Sequence, residues 1–264
     1  MSTLNSRHGA FGHALRRRLL PWWHIVHLSA LLLVLAMSPS SYRGAHRLTM
    51  ARHLVAATAP VLLWFTLLSA ITSLVITRIV LVTAQSYGLS QYALEMVVRV
   101  LVIELIPLTA ALFVALRWSV PGGTALAVLR RQGRLGDQRR AGIDTLRTEV
   151  LPRAVAGIFA VLLLAAVSSV ATLVLAYLLA HGFSPWGLEG YTRLVGRVFH
   201  PTVTLVFAIK TTALAMAVSV IPLGSALHDP EGVPAATSAE LQGLVRLAAA
   251  VLLIEVLSLM VNYA

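Results

Sequence analysis

Glu95, Arg99 and Glu104 lie inside one long apolar stretch of this sequence, Lys210 inside a second and Glu255 inside a third. A charge is costly at membrane depth unless it meets a partner or a polar ligand, so such residues are functional candidates. On a helix Glu95 and Arg99 stand one turn apart and can pair with each other. Glu104 points away from Arg99, by about 140° at the helical increment of about 100° per residue, and needs a partner elsewhere. Lys210 is the only lysine in the chain. Two acids and one base at this depth have two readings. They can be an ion pair that fastens helix to helix, or a shared pocket that holds the polar group of a ligand. Both stay open on the sequence, and the pocket is the expectation pursued below.

The second concentration of charge is of another kind. Residues 117–153 carry eight arginines against Asp137, Asp144 and Glu149, with apolar runs of membrane length on both sides. Arginine resists translocation, so a basic connection of this sort belongs on the cytoplasmic side of an inner membrane.

Composition identifies the solvent these residues work in. Hydrophobic residues make up 58% and charged residues 12%, and mean hydropathy is +0.83, well outside the globular range. The net charge of +11 would suggest nucleic acid in a soluble protein. Here the arginines cluster between and at the ends of apolar runs, so orientation and contact with anionic headgroups account for them, and no nucleic-acid partner is expected. Without cysteine the chain has no disulfide, zinc-thiolate site or thiol nucleophile. The sequence contains no phosphate-binding P-loop, no H-E-x-x-H and no G-x-S-x-G, so nucleotide energy would have to come from a partner. His24 and His27 share a helical face but lack a third ligand nearby, so no metal and no cofactor is expected.

Five apolar runs, at about 54–83, 93–116, 154–180, 198–223 and 241–262, exceed the ~20 residues a spanning helix needs. A shorter piece, Ile25 to Met37, follows Arg16-Arg17-Arg18 and Trp22-Trp23 and is itself followed by Arg43, Arg47 and Arg52. A signal peptide is the rival reading, but crossing would carry the second arginine group outside. A helix lying in the interface keeps both groups in the cytoplasm. The predicted fold class is therefore an all-α integral membrane protein, with an N-terminal interfacial helix plus five transmembrane helices. Residues 1–52 form the N-terminal segment and 53–264 the membrane domain. Residues 84–92 and 181–197 are predicted outside, with Trp186 and Tyr191 as interface anchors. Residues 117–153 and 224–240 are predicted inside, and the carboxyl terminus outside. Gly122-Gly123 reads as a helix end after Pro121, and Arg78 as a side chain snorkelling from the first span.

Ile103-Glu104-Leu105-Ile106-Pro107, Arg117, Ala141-Gly142-Ile143-Asp144-Thr145, Leu151-Pro152-Arg153, Phe207-Ala208-Ile209-Lys210-Thr211 and Glu231-Gly232-Val233-Pro234-Ala235-Ala236-Thr237 follow one another along the chain. On these motifs it resembles the MlaE/YrbE family, the permeases of ABC-type lipid transporters that work with MCE-domain proteins. Its Arg-Glu-Leu-Gly-Pro stretch is similar to Ile103-Glu104-Leu105-Ile106-Pro107, and a following arginine to Arg117. Its Met-Gly-Val-Asp-Pro and Val-Pro-Arg segments meet Ala141-Gly142-Ile143-Asp144-Thr145 and Leu151-Pro152-Arg153. Phe207-Ala208-Ile209-Lys210-Thr211 and Glu231-Gly232-Val233-Pro234-Ala235-Ala236-Thr237 resemble two later motifs, and Glu255 stands where the last family helix has an acid. The chain departs from the pattern at Ile103, where Arg99 one turn earlier is the substitute. It departs again at Thr124-Ala125-Leu126-Ala127-Val128-Leu129, which lacks the family's acid and glycine, and at 133–138, where Gly133 and Gly136 should weaken the helix expected to touch an ATPase by ~1 kcal/mol each.

The resemblance implies a homodimeric inner-membrane permease, amino terminus cytoplasmic and carboxyl terminus periplasmic, with a separate ABC ATPase subunit and a periplasmic MCE-domain protein as partners. The chain itself would be no enzyme, ATP hydrolysis lying on the ATPase. It would move phospholipid or a similar amphiphile across or out of the inner membrane. Glu104, Lys210, Glu255 and Arg99 are the implied substrate-binding residues, with Lys210 the natural partner of a phosphate. Arg130, Arg131, Arg134, Asp137, Gln138 and Asp144 are the implied ATPase-coupling residues. A proton-coupled carrier and a non-transporting membrane scaffold are the alternatives. An enzyme of lipid metabolism has least support, because no nucleophile–base pair or metal cluster falls at membrane depth.

Overall fold

The computed structural model describes residues 22–38, 45–228 and 236–263. The readings made of Arg16–Arg18, of Arg43, and of the acidic Asp229 and Glu231 with most of their motif lie outside the described residues. Among the described residues there is no strand. The chain forms α1 (Trp22–Met37), α2 (Ala45–Ser86), α3 (Tyr92–Arg131), α4 (Arg134–Arg140), α5 (Leu146–His181), α6 (Leu188–Val198), α7 (Pro201–His228) and α8 (Ala236–Tyr263). Five of these, α2, α3, α5, α7 and α8, are long and apolar enough to cross a membrane. Backbone groups in lipid must be satisfied within the segment, and these runs satisfy them as helices.

The arginine-rich connection is not the loop that the sequence suggests. α3 continues through it to Arg131, giving a helix of 40 residues and about 60 Å, twice the ~30 Å apolar thickness of a bilayer. Pro121 does not end it. Proline lacks an N–H and its ring crowds the carbonyl one turn back. The chain meets this by widening into a π-helical turn, Ala115–Ser119, just ahead of the proline. The same device precedes Pro107, at Val98–Leu105, and Pro152, at Leu146–Val150. Gly123 then serves packing: a Cβ there would come within 2.9 Å of the Pro222 carbonyl oxygen, so α3 and α7 touch backbone to backbone. Gly133 does break the helix, at a turn where its φ is +74°, but Gly136 sits inside α4 without ending it. The segment 181–197 is likewise mostly helix, with α6 occupying its second half.

Successive long helices run antiparallel through short connections. One end of the bundle therefore gathers the arginine-rich hairpin, the start of α2 and the end of α7; the other, called the far end below, holds α6. α5 is central, packing on α2 along most of its length and on α7 and α3. Its buried face repeats every four residues through Ala156, Ala160, Leu164, Ser168, Thr172 and Ala176. Small residues let backbones approach where lipid supplies no hydrophobic drive between helices. Ser73 of α2 and Thr172 of α5 add a buried hydroxyl–hydroxyl bond of 2.8 Å across this seam. α1 docks at the arginine-rich end. It buries Ile25, Leu28 and Leu32 and lays Ile25 and Leu28 against Gly224 of α7. Its other side exposes Trp23, Val26, Val34 and Met37, which suits a helix half in protein and half in lipid.

Candidate functional site

Glu104, Lys210 and Glu255 come together although 151 residues separate the first from the last. Glu104 lies in the widened turn of α3 ahead of Pro107, Lys210 in α7 and Glu255 in α8. The Lys210 ammonium donates to Glu104 Oε2 and lies 2.7 Å from Glu255 Oε2, and the lysine is 2% exposed. Each residue stands about 10–18 Å along its own helix from the far end, at ~1.5 Å per residue. The cluster thus sits within the apolar layer, on the side away from the arginines.

At this depth the ion pairs are worth having only if the charges are matched closely, because desolvating three of them costs several kcal/mol each. Two carboxylates and one ammonium leave the cluster one charge negative. Asn262, which the sequence reading passed over, donates from Nδ2 to Glu104 Oε1 at 3.3 Å. It stands seven residues after Glu255, with Ser258 between at three, a spacing that puts all three on one helical face. That interval of polar residues in an otherwise apolar helix was the available signal. Glu255 Oε1, Ser258 Oγ and Asn262 Oδ1 are buried without a hydrogen-bond partner among the described residues. The arrangement is a buried anionic lock across three spans with unfilled hydrogen-bonding capacity on α8. As packed, the ammonium is neutralised twice over, so it does not stand free for a phosphate.

Arg99, the fourth expected member, is not part of the cluster. It pairs one turn back with Glu95 at 3.0 Å, and both are about one-third exposed. It therefore does not stand in for the arginine missing at Ile103, which is buried in a separate apolar group with Val98, Val198 and Val203.

The six expected coupling residues lie together at the arginine-rich end, in and around α4. Arg130 donates to the Ala226 carbonyl at 3.4 Å, tying α3 to the end of α7. Arg131 and Arg134 are exposed, and Asp137 pairs loosely with Arg140 at 3.5 Å. Gln138 is half-buried with Oε1 unpaired, and Asp144 accepts from the Leu146 N–H at 3.1 Å while lying 3.3 Å from Arg147. Arg130, Leu135, Asp137, Arg140 and Leu227 border a cleft of about 460 Å³.

At the far end the two expected aromatic anchors part company. Trp186 is 91% exposed, whereas Tyr191 is 7% exposed and is no surface anchor. Its hydroxyl donates to the Leu173 carbonyl at 2.8 Å, joining α6 to α5, and its ring packs on Tyr177 and His181. Burial pushes its phenol up to about 12. Arg78 is exposed on α2.

Among the described residues no three His, Cys, Asp or Glu side chains gather as a metal site would require. Comparison with known families matches residues 50–261 to the one described as permease MlaE. No curated protein matches the chain.

Proposed function

The chain belongs to the MlaE permease family, and from that premise, which makes it a multi-pass membrane permease of an ABC-type transporter, we propose that it moves phospholipid or a similar amphiphile. The observation that carries the substrate reading is the Glu104–Lys210–Glu255 cluster, held on three different spans inside an otherwise apolar bundle. An amphiphile has an apolar body and a polar head. Leucine, valine and alanine surfaces of the spans accept the first. The unpaired polar atoms of Glu255, Ser258 and Asn262 accept hydrogen-bond donors of the second. Lys210 reaches a phosphate only if one carboxylate lets go, so a change in packing between α3, α7 and α8 would convert a closed lock into a headgroup site.

That change would be driven from the other end. α4 and the hairpin around it, from Arg130 to Asp144, present exposed charge on short helices to a separate ATPase, whose ATP-bound arrangement would favour one packing of α3 and α7 over another. Arg130 touches α7 directly and is the natural relay. In this reading the arginine-rich end faces the cytoplasm of an inner membrane, the carboxyl terminus and α6 face the periplasm, and an MCE-domain protein takes the lipid there. The permease works as a homodimer, with residues 1–52 its N-terminal segment and 53–264 the membrane domain, the boundary falling within the first turns of α2.

Affinity purification from the native membrane, with mass spectrometry of retained proteins and lipids, tests this. Recovery with an ATPase, an MCE-domain protein and phospholipid is the expected result. A chain recovered without an ATPase overturns ATP coupling. Transport that collapses with the proton gradient while ATP is maintained would instead favour a proton-coupled carrier built on the same carboxylates.

A further inference from the structure

A cleft of about 340 Å³ opens between α2, α3 and α5 at the arginine-rich end. His53 and Ala56 line it from α2, Arg117, Trp118 and Gly122 from α3, and Arg153 from α5. Its walls are fixed by contacts of their own. The Trp118 indole N–H donates to the Arg153 carbonyl at 3.0 Å, and the His53 ring stands edge-on to the indole, centroids 5.9 Å apart. One guanidinium nitrogen of Arg153, Nη1, donates to both the carbonyl and the carboxylate of Glu149, each at 2.6 Å.

Arg117 differs from Arg153. It is exposed at the cleft and makes no ion pair among the described residues. Arg117, Arg153 and Glu149 together carry one net positive charge, which is what a phosphodiester balances. A guanidinium also presents a planar fork that matches two phosphate oxygens. The position fits too. Arg117 lies thirteen residues beyond Glu104 on α3, about 20 Å further along the helix, which brings it to headgroup level on the arginine-rich side. Ala56 and the indole of Trp118 supply an apolar flank of the kind that lies against the glycerol and upper acyl region of a lipid. The Glu104–Lys210–Glu255 cluster, one charge negative and with its ammonium enclosed, is the opposite in every respect.

We propose that this cleft binds the phosphodiester of a membrane lipid, anchored by Arg117 and positioned by the Trp118–Arg153 wall. The inference stands apart from the transport reading, since a lipid can be held here whether or not it is moved.

The test uses the full chain in a neutral detergent and two probes, dihexanoyl phosphatidylglycerol and inorganic phosphate, with binding followed by calorimetry. Wild type should bind the lipid, and Arg117→Gln should weaken it by about tenfold or more, the loss of a charge-assisted bidentate contact. Arg117→Lys, which keeps the charge without the fork, should fall between, and stands in if the glutamine variant does not fold. Arg197→Gln, an exposed arginine on α6, should bind as wild type does. Lipid should bind at least about tenfold better than inorganic phosphate, given the apolar flank. Unchanged binding in Arg117→Gln, or an equal loss in Arg197→Gln, overturns the site. Equal affinity for both probes overturns the lipid and leaves a general anion site.

Discussion

α3 carries charge at two levels, and the two ends handle it in opposite ways. Around Glu104 the charges are few, buried and tied to residues far away in sequence. Around Arg117 to Arg131, and on into α4, they are many, mostly exposed and paired, where paired at all, within a turn. The lesson is that neighbourhood, not charge count, sets what a charged residue contributes. Removing one member of a buried cluster strands the others without water. Removing an exposed one returns its neighbour to solvent, at little cost.

The largest effect expected from this contrast is at Lys210. Lys210→Ala leaves two carboxylates buried without their cation and should lower stability by ~3–5 kcal/mol. Thermal unfolding in detergent reads this, and adding Glu104→Gln and Glu255→Gln should recover most of the loss. No loss in the single variant would mean that the cluster does not fasten the spans.

Next comes packing. Gly123→Ala drives a Cβ to within 2.9 Å of the Pro222 carbonyl, a backbone atom that cannot swing aside, and should cost ~1–3 kcal/mol. The same change at Gly190 on α6, where a Cβ meets nothing within 4 Å, should be neutral or stabilising by up to ~1 kcal/mol. Equal unfolding temperatures for the two variants would contradict the close α3–α7 approach.

A smaller effect belongs to Tyr191. Its phenol is raised from 10.0 to about 12 by burial. The folded state therefore holds this proton when the unfolded state has lost it, so the stability tied to it is complete below pH 10 and is lost as pH rises toward 12. Ultraviolet titration should show a late-ionising phenol, and Tyr191→Phe should remove that late step. The smallest effect is Arg140→Ala. With partners 86% and 71% exposed, the Arg140–Asp137 pair should be worth no more than ~0.5 kcal/mol, and high salt should erase even that.

The five spans were legible because a run of ~20 apolar residues has few other fates. Glu104, Lys210 and Glu255 were legible as candidates for the same reason turned round: at that depth a charge must have a partner. Which partner was not legible, because Arg99 is as near to Glu104 in sequence as any cation and yet turns back to Glu95. Pro121-Gly122-Gly123 reads as a helix end to any rule based on local propensity. The π turn before it, set by packing against α7, absorbs the proline and carries α3 through. Tyr191 looked like an anchor because an aromatic near a membrane end often is one, and only the fold of α6 onto α5 shows it buried. The Arg117 cleft takes residues from three helices, and the role of His53 in it leaves no trace in sequence.

The buried cluster should serve transport and not merely hold the bundle. The direct test is ATP-dependent phospholipid transfer in proteoliposomes containing the chain and its co-purified ATPase, comparing wild type with Glu104→Gln/Lys210→Met/Glu255→Gln. Neutral side chains of similar volume can replace a buried ion cluster with little or no loss of stability. The variant should show an unfolding temperature close to wild type and a transfer rate at least about tenfold lower, equivalent to about 1.4 kcal/mol or more in the barrier. Transfer at the wild-type rate in that stable variant would mean that the cluster only holds the bundle.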